Sequence, residues 1–448
     1  MKYFPMKWLG LCMMAWLASS TSHARTDKSN NKPNIILIMA DDLGYECIGA
    51  NGCDDYQTPV LDKLAASGVR FTNCFSNPIC TPSRVKIMTG MFNVRNYVRF
   101  GLLDRKQKTF AHTFKAAGYT TCIAGKWQLG NEKDAPQHFG FDQSCLWQHT
   151  RKRTREGQPH DSRFSNPRVE INGELKDYDQ GEYGPDVCAD FICDFIEKNK
   201  AKPFLAYYPM LLTHCPFTPT PDSKDWDPKS EGATTYKGDP KHFADMVHHM
   251  DKVVGRIIAK LEEHKLRENT IVIFTGDNGT DRPIITSLNG KKIKFGKGQM
   301  NDNGTRVPLI VSYPGKVQGG TVSDALVDFT DMFPTMCEVS GVAIPTDRPT
   351  DGVSFWSTLQ GGSGRKKPWT YVWWEGKVLA RTQTHMIRRM KTKGKIEFLD
   401  YSVPYEPKKL EVDQLEGAAK ASYETLLGVI HKLDKTRPVE LSGSYKKK

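Results

Sequence analysis

The chain has 448 residues, of which 38% are hydrophobic and 25% charged, and its formal net charge is +12. At about 100–200 residues per domain, this length allows two or three domains, or one large α/β domain with an appendage. The positive charge favours an anionic partner, either a nucleic acid or a sulfated or phosphorylated polymer. After the N-terminal segment no stretch is apolar for long enough to span a membrane as a helix.

The first residues have the pattern of a signal peptide. Lys2 and Lys7 precede an apolar run at 8–18, and residues 22–24 (Ser-His-Ala) resemble a signal-peptidase site. The run is about half of the ~20 residues that a spanning helix needs. We therefore predict that residues 1–24 are removed and that the mature chain is exported to the periplasm or the medium, with no membrane span.

Export implies an oxidising compartment in which disulfides form. Ten of the eleven cysteines remain after Cys12 is removed, and they are scattered rather than clustered. We expect buried thiols with one or two disulfides, and no structural zinc site.

From Pro33 onward, short apolar runs alternate with amphipathic helices, which is the pattern of a parallel sheet covered on both faces. The predicted strands are 35–40, 119–124, 204–209 and 271–274, and the predicted helices are 59–67, 109–117, 186–199 and 241–264.

Two regions depart from this alternation. Residues 131–184 are polar, aromatic and irregular, and we interpret them as a long insertion beside a functional site. Beyond 345 the pattern changes to short antiparallel strands at 371–374, 378–380 and 397–399 with a helix at 413–433. The predicted divisions are a signal peptide at 1–24, a catalytic domain at 33–345 and a C-terminal α+β subdomain at 346–448.

Acidic and amide residues follow two of the predicted strands. Asp41 and Asp42 end the first strand, and Asp277 and Asn278 come after the strand at 271–274. Each pair alone is typical of a turn or a cap. On neighbouring parallel strands they would bring together three carboxylates and an amide oxygen, a ligand set for Ca²⁺ or Mg²⁺, and the absence of histidine argues against zinc.

Three basic residues are predicted at the same edge. Lys126 follows the strand at 119–124, His214 follows that at 204–209, and Lys297 lies between two glycines. A lone cation in a loop is usually solvated, but the shared placement favours a common anion site.

The most specific segment is Cys80-Thr81-Pro82-Ser83-Arg84, followed by Thr89-Gly90. From its chemistry alone it offers a thiolate near a guanidinium, a reactive cysteine. It resembles the sulfatase motif Cys-x-Pro-Ser-Arg-x₄-Thr-Gly, in which a maturation enzyme oxidises the cysteine to formylglycine.

The resemblance to the formylglycine-dependent sulfatases extends from about Pro33 to Gly341 and, more loosely, beyond. Its other landmarks occur in family order at 34–44, 118–130, 213–214, 277–279, 296–298 and 306–308. The resemblance implies an alkaline-phosphatase-like α/β fold, with a central mixed, mostly parallel sheet flanked by helices and a smaller C-terminal α+β subdomain.

The resemblance also implies a site. The expected metal is calcium, and magnesium is less expected. Its ligands would be Asp41, Asp42, Asp277, Asn278 and the hydrated aldehyde made from Cys80. Arg84, Lys126 and Lys297 would hold the hydrate and the sulfate oxygens. Asp277 would accept the proton of the attacking hydroxyl, and His214 would protonate the leaving alcohol.

Gln128 departs from the family pattern, since most relatives have histidine there as the base for sulfate release. Glutamine donates and accepts hydrogen bonds but cannot take up a proton at neutral pH. Our hypothesis is that Gln128 keeps a positioning role while another group or water accepts the proton.

Two alternatives remain open. One is a phosphomonoester or phosphonate hydrolase of the same superfamily. The other is a secreted glycan-binding protein that has lost catalysis, and Gln128 is the only residue in the sequence that supports it. For a sulfatase, we expect a sulfated polysaccharide or oligosaccharide as substrate, bound with help from Phe141, Trp147, Arg151 and Arg153. A nucleic acid is not expected, because no recognition motif accompanies the charge.

Overall fold

An eleven-stranded mixed sheet forms the centre of the structure, a computed structural model that describes residues 1–3 and 32–441 except 155–158, 364, 366 and 393. The described strands are β1 (Asn34–Ala40), β2 (Val69–Phe75), β3 (Thr120–Lys126), β4 (Gln143–Trp147), β5 (Arg168–Ile171), β6 (Glu174–Asp177), β7 (Phe204–Pro209), β8 (Thr270–Gly276), β9 (Ile285–Leu288), β10 (Lys291–Lys294), β11 (Arg306–Ser312), β12 (Thr321–Ser323), β13 (Val327–Asp328), β14 (Thr370–Trp374), β15 (Lys377–Arg381), β16 (His385–Arg389), β17 (Ile396–Asp400) and β18 (Lys408–Leu410).

The described helices are α1 (Pro59–Ala66), α2 (Cys80–Thr89), α3 (Asn93–Asn96), α4 (Phe110–Ala116), α5 (Ala135–His138), α6 (Gly184–Asn199), α7 (Phe243–Glu263), α8 (Asp302–Thr305), α9 (Met332–Ser340), α10 (Trp356–Leu359) and α11 (Gly417–Asp434). Each strand and helix predicted before residue 270 is present, and β3 extends two residues further than expected, so that Lys126 is its last residue.

The strand order of the large sheet is β12-β2-β11-β8-β1-β7-β3-β4-β5-β6, and β13 pairs with β2. The central strands β8, β1, β7, β3 and β4 are parallel, whereas β11 is antiparallel to both β8 and β2. Because the central strands are parallel, their carboxyl ends lie at one edge of the sheet, where functional residues collect.

The two faces of β1 belong to different cores, because successive side chains of a strand point to opposite sides. Ile36 and Ile38 pack in a cluster with α1, α6 and α7, whereas Ile35, Leu37 and Met39 pack in one with α2, α4 and α9. The sheet is therefore covered by helices on both faces, as the continuous apolar run of β1 predicts.

The region 131–184 was expected to be irregular, and that expectation is wrong in part. Its β4 pairs with β3 in parallel, and β5 and β6 continue the sheet in antiparallel register. β4 has only five residues and begins with Gln143 and Ser144, and β5 and β6 have four residues each with charged side chains among them, so that none shows a clear strand pattern.

A separate five-stranded antiparallel sheet, β14-β15-β16-β17-β18, lies towards the C-terminus with α11 packed on it. The sequence predicted three of its strands and the helix, and it missed β16 and β18. Contacts divide the chain into Met1–Asn31 and Lys32–Lys448. The predicted boundary at 345/346 stays a prediction.

All ten described cysteines are free, so the expected disulfides are not found among them. No helix in the described part is long and apolar enough to cross a membrane. The predicted signal peptide falls outside the described residues, apart from Met1 to Tyr3.

Candidate active site

The acidic residues predicted from the sequence meet where β1 and β8 end side by side. These strands are paired in parallel from Asn34 with Thr270 to Ala40 with Gly276. The backbone N–H of Asp42 donates to Asp277 Oδ1 at 3.0 Å, and Asn278 Nδ2 donates to Asp42 Oδ1 at 2.8 Å. Asp41, Asp42, Asp277 and Asn278 are all fully buried.

Each of the three carboxylates is paired with a cation from a different part of the chain. Lys126 Nζ lies 2.6 Å from Asp41 Oδ2, and Lys297 Nζ lies 2.5 Å from Asp42 Oδ2. Arg84 Nη2 lies 3.2 Å from Asp277 Oδ2. Buried charges are costly unless they are paired, so these three pairs hold the site together as one network.

Cys80 is the first residue of α2 and is buried, with only 2% of its surface exposed. The hydroxyl of Ser83 fixes this helix start, because it accepts from the Asn77 N–H at 3.0 Å and donates to the Asn77 carbonyl at 3.1 Å. One turn after Cys80, Arg84 also donates to the carbonyl of Lys126 at 3.0 Å. The Cys-x-Pro-Ser-Arg spacing thus places the thiol and the guanidinium on the same side of the helix, against the acids.

The geometry fits a hard divalent cation. Asp41 Oδ1 and Asn278 Oδ1 are buried oxygens that have no hydrogen-bond partner among the described residues. Such orphaned oxygens are rare unless an ion or water satisfies them. Potential ligand atoms of Asp41, Cys80 and Asp277 lie within 4.8 Å of one another, and so do those of Asp41, Asp42 and His214. The buried, aspartate-rich site can bind a metal ion.

The acids respond differently to this environment. Burial raises the pKa of Asp41, but Lys126 and Arg84 outweigh burial and hold it below its usual value. Burial and the neighbouring Asp41 raise the pKa of Asp277 well above its usual value, although Arg84 opposes them. Burial likewise raises the pKa of the Cys80 thiol, against the opposing effect of Lys126. Burial therefore opposes ionisation of an unmodified Cys80 thiol.

His214 follows β7, as predicted, and it lies between two cations. Its Nε2 is 3.0 Å from Lys297 Nζ and 3.5 Å from Asp42 Oδ2, and its Nδ1 contacts Arg163 and the carbonyl of Cys215. Because the Lys297 ammonium can only donate, Nε2 of a neutral His214 accepts from it, and the ring proton on Nδ1 is donated to the Cys215 carbonyl. Burial, Lys297 and Arg163 together lower the pKa of His214 well below its usual value.

Lys297 reaches the site on a loop held close to α8. A side chain at Gly296 would clash with the carbonyl oxygen of Asn303, only 1.8 Å from where its Cβ would lie. This close approach requires glycine and explains why a glycine precedes the lysine.

Gln128 lies two residues beyond β3, with a left-handed backbone (φ 54°). Its Oε1 accepts from Thr81 Oγ1 at 3.2 Å, and Thr81 Oγ1 in turn accepts from the Gly101 N–H at 3.1 Å. Gln128 is thus in contact with the residue that follows Cys80, as a site residue should be.

The structure adds three residues that the sequence did not indicate. Arg163 is buried and stacks on Trp147, with its guanidinium carbon 4.2 Å from the ring centroid. Asp281 lies 3.8 Å from Lys297 and 2.5 Å from Lys237. The half-exposed Tyr236 lies with its ring 6.4 Å from that of His214. Of these three residues, only Asp281 could have been found from the sequence, because it is an acid four residues after Asp277.

Two residues expected to contact the substrate do not lie at the surface. Phe141 and Trp147 are fully buried and pack in the cores of the large sheet, so the expectation for them is wrong. Arg153 lies over the Tyr236 ring at 4.8 Å and so is near His214, whereas Arg151 is ion-paired with Asp177 at the end of β6.

The mixed sheet with helices on both faces, the site at the ends of its parallel strands and the separate C-terminal antiparallel sheet define an alkaline-phosphatase-like α/β fold. Two family models match, one described as Sulfatase over residues 33–342 and one described as N-sulphoglucosamine sulphohydrolase, C-terminal, over 290–435. The chain belongs to the sulfatase family and is a sulfuric ester hydrolase.

Named relatives agree with this assignment, and a solved structure shares the fold. The chain is 29% identical to the N-acetylgalactosamine-6-sulfatase of Canis lupus familiaris over 380 residues, which cover 76% of this chain and 68% of that one. It is 31% identical to the arylsulfatase of Hemicentrotus pulcherrimus over 360 residues, 74% of this chain and 62% of that one. The crystal structure of Ps i-CgsB shares the fold, with a TM-score of 0.73 at 22% identity over 91% of this chain and 94% of that one.

Proposed function

We propose that this enzyme hydrolyses sulfate esters of a sulfated polysaccharide or oligosaccharide with a formylglycine hydrate made from Cys80 and a calcium ion. The observation that carries the proposal is the convergence of Arg84, Lys126 and Lys297 with three aspartates around Cys80, within a complete Cys-x-Pro-Ser-Arg motif. A buried site with this charge arrangement suits an anionic ester that must be held against a nucleophile.

Calcium would be held by Asp41, Asp42, Asp277, Asn278 and the oxygen that replaces the sulfur of residue 80. The two orphaned oxygens of Asp41 and Asn278 support this assignment, since calcium prefers several oxygen ligands in adaptable geometry. When bound, the ion would offset the charge of the sulfate and lower the pKa of the hydroxyl at position 80.

The cations would bind the sulfate group. Lys126 and Lys297 are compact ammonium groups that can donate to its oxygens, while Arg84 is fixed by Asp277 and by the Lys126 carbonyl and orients residue 80. Asp277 would accept the proton from the attacking hydroxyl, as its carboxylate lies within 4.8 Å of the residue 80 side chain.

His214 would protonate the leaving alcohol. In the structure, burial and the neighbouring cations Lys297 and Arg163 disfavour its protonation. A bound sulfate ester brings negative charge to Lys297, and this charge favours the imidazolium form needed for general-acid catalysis.

Gln128 would position the substrate or residue 80 through its amide nitrogen, because its oxygen is occupied by Thr81. The proton released with sulfate would go to water or to another group.

A sugar substrate is supported by the named activity of the canine relative and by the net charge of +12. Export and a formylglycine-generating maturation enzyme as partner are further parts of the proposal, and they rest on residues 1–24 and on the Cys80 motif respectively.

Mass spectrometry of the tryptic peptide that contains residue 80, after co-expression with a maturation enzyme, tests the nucleophile. We expect an aldehyde or its hydrate, and hydrolysis of an aryl sulfate far exceeding that of the matching aryl phosphate. Cys80→Ala is the control and should be inactive. An unmodified cysteine in an active preparation would refute the proposal, and preference for the phosphate would favour a phosphoesterase.

A further inference from the structure

A cleft of about 410 Å³ adjoins the active site on the side of Gln128. Gln128 and Gln148 line it, and they follow the paired ends of β3 and β4, where Lys126 is opposite Trp147. Both glutamines have a left-handed backbone, with φ 54° in each. Non-glycine residues in this conformation are uncommon and cluster where binding sites need them.

The cleft is connected to the reaction centre through Gln128. The same amide that lines the cleft is hydrogen-bonded to Thr81, the neighbour of Cys80. Gly101, whose N–H donates to Thr81, also lines it. The cleft therefore lies beside the position that a sugar would occupy if its sulfate were bound at Cys80.

Basic side chains line the outer part of the cleft. Arg99 and Lys152 are exposed, and neither has an ion pair or a hydrogen bond with another residue in the part of the chain that the structure describes. Arg151 also lines the cleft, but Asp177 pairs with it. Glu132 is the acidic residue of the lining. Its single negative charge is smaller than the two positive charges of Arg99 and Lys152, so the cleft is positively charged.

We propose that this cleft is a second anion subsite, in which Arg99 and Lys152 bind a carboxylate or a second sulfate on the sugar that carries, or adjoins, the scissile sulfate. This inference rests on the proposed function and narrows its substrate class to saccharides with two or more anionic groups. A guanidinium binds carboxylate and sulfate oxygens in pairs, and an ammonium binds them as a point charge. The amides of Gln128 and Gln148 supply hydrogen bonds to the sugar between the two anions.

Binding is measured by calorimetry with calcium present, in a Cys80→Ser background so that the ligand is not consumed. The probes are three disaccharides: a neutral one with one sulfate, one with a uronate and one sulfate, and a neutral one with two sulfates. The variants are Arg99→Gln, Lys152→Gln and both together. Lys316→Gln, an exposed lysine beyond β11, is the matched control.

We expect the parent to bind at least one two-anion probe about tenfold or more tightly than the one-sulfate probe, as one charge-assisted contact predicts. The double variant should lose most of this preference, and Lys316→Gln should keep it. The two-anion probe that binds more tightly tells whether carboxylate or sulfate is preferred. Equal binding of all three probes, or a preference that survives in the double variant, would overturn the subsite. If the preference is present but the Cys80 enzyme hydrolyses no sulfate ester, the subsite stands and the proposed function fails.

Discussion

Thr81, the residue after Cys80, donates its hydroxyl proton to Gln128 Oε1 at 3.2 Å, which fixes the glutamine side chain against the start of α2. Since the amide oxygen is engaged, the amide nitrogen is the group left to act at the site. This contact therefore shows which part of the Gln128 side chain can act at the position where most relatives have histidine.

The first prediction is that Gln128→His does not raise turnover. The site is built around an amide whose oxygen accepts from Thr81 and whose nitrogen offers two N–H donors. An imidazole that accepts from Thr81 offers a single N–H, on the far side of the ring, and so does not place a donor where the amide does. We expect Gln128→His to be equal to the parent or slower, and Gln128→Ala to be slower by about tenfold, the value of one lost hydrogen bond. The measurement is kcat on an aryl sulfate and on the preferred sulfated sugar.

Gln180→His, an exposed glutamine, serves as the control for the new histidine. A many-fold increase in turnover for Gln128→His would show that the parent is a weakened enzyme and that glutamine is not an adapted residue.

The second prediction concerns the leaving group. If His214 protonates the departing alcohol, His214→Asn should slow hydrolysis of alkyl or sugar sulfates by about 10²–10⁴-fold and that of 4-nitrophenyl sulfate much less, since nitrophenolate leaves without a proton. The measurement is the dependence of kcat/KM on the pKa of the leaving alcohol, which should be steeper in the variant. His248→Asn, in an exposed histidine of α7, is the control. An equal loss on every leaving group would mean that His214 only binds sulfate.

The third prediction concerns the metal. Chelation should abolish hydrolysis and lower the melting temperature by a few degrees, and calcium should restore both, because a ligand that binds only the folded state stabilises it. Asp42→Asn should weaken this calcium-induced rise in melting temperature and reduce activity by about 10²-fold or more. Asp413→Asn, at the surface, should behave as the parent. Full activity in chelator would contradict the calcium site.

The fourth prediction concerns a buried ion cluster behind α2. Asp328 lies 3.3 Å from Lys86, which is on α2, and 2.9 Å from Lys367, and it is fully buried. Burial alone raises its pKa, but Lys367 and Lys86 outweigh burial and hold the pKa of Asp328 below 3.8. Asp328→Asn removes the carboxylate paired with the buried Lys86, although Lys367 keeps Asp331 at 2.6 Å, and it should cost about 3–5 kcal/mol of folding stability at pH 7.

The sign of the pH dependence follows from the lowered pKa. The stabilisation by Asp328 is present above its ordinary pKa of 3.8 and is lost as the pH falls below that value. The melting temperatures of parent and variant should therefore differ at pH 7 and converge towards low pH. The measurement is calorimetry between pH 3 and pH 7, with the exposed Asp324→Asn as control. A difference that is independent of pH would assign the loss to packing rather than to charge.

Local patterns in the sequence predicted much of the fold. The continuous apolar run of β1 and the three-and-four spacing in α7 predicted a buried strand and an amphipathic helix, and both were found. In contrast, β4, β5 and β6 were missed because they are short and mix polar or charged residues with the apolar ones, and their pairing depends on a neighbour supplied by the fold.

The sequence by itself determined the family, the order of the central elements and which acids and cations meet, because parallel strands deliver the residues after them to one edge. Only the tertiary structure decided that Arg163 contacts His214, that Phe141 and Trp147 are buried, and that Arg99 and Lys152 face a common cleft. These contacts join segments that are far apart in the chain or irregular in pattern. They depend on how loops pack on the finished sheet, which no local periodicity encodes.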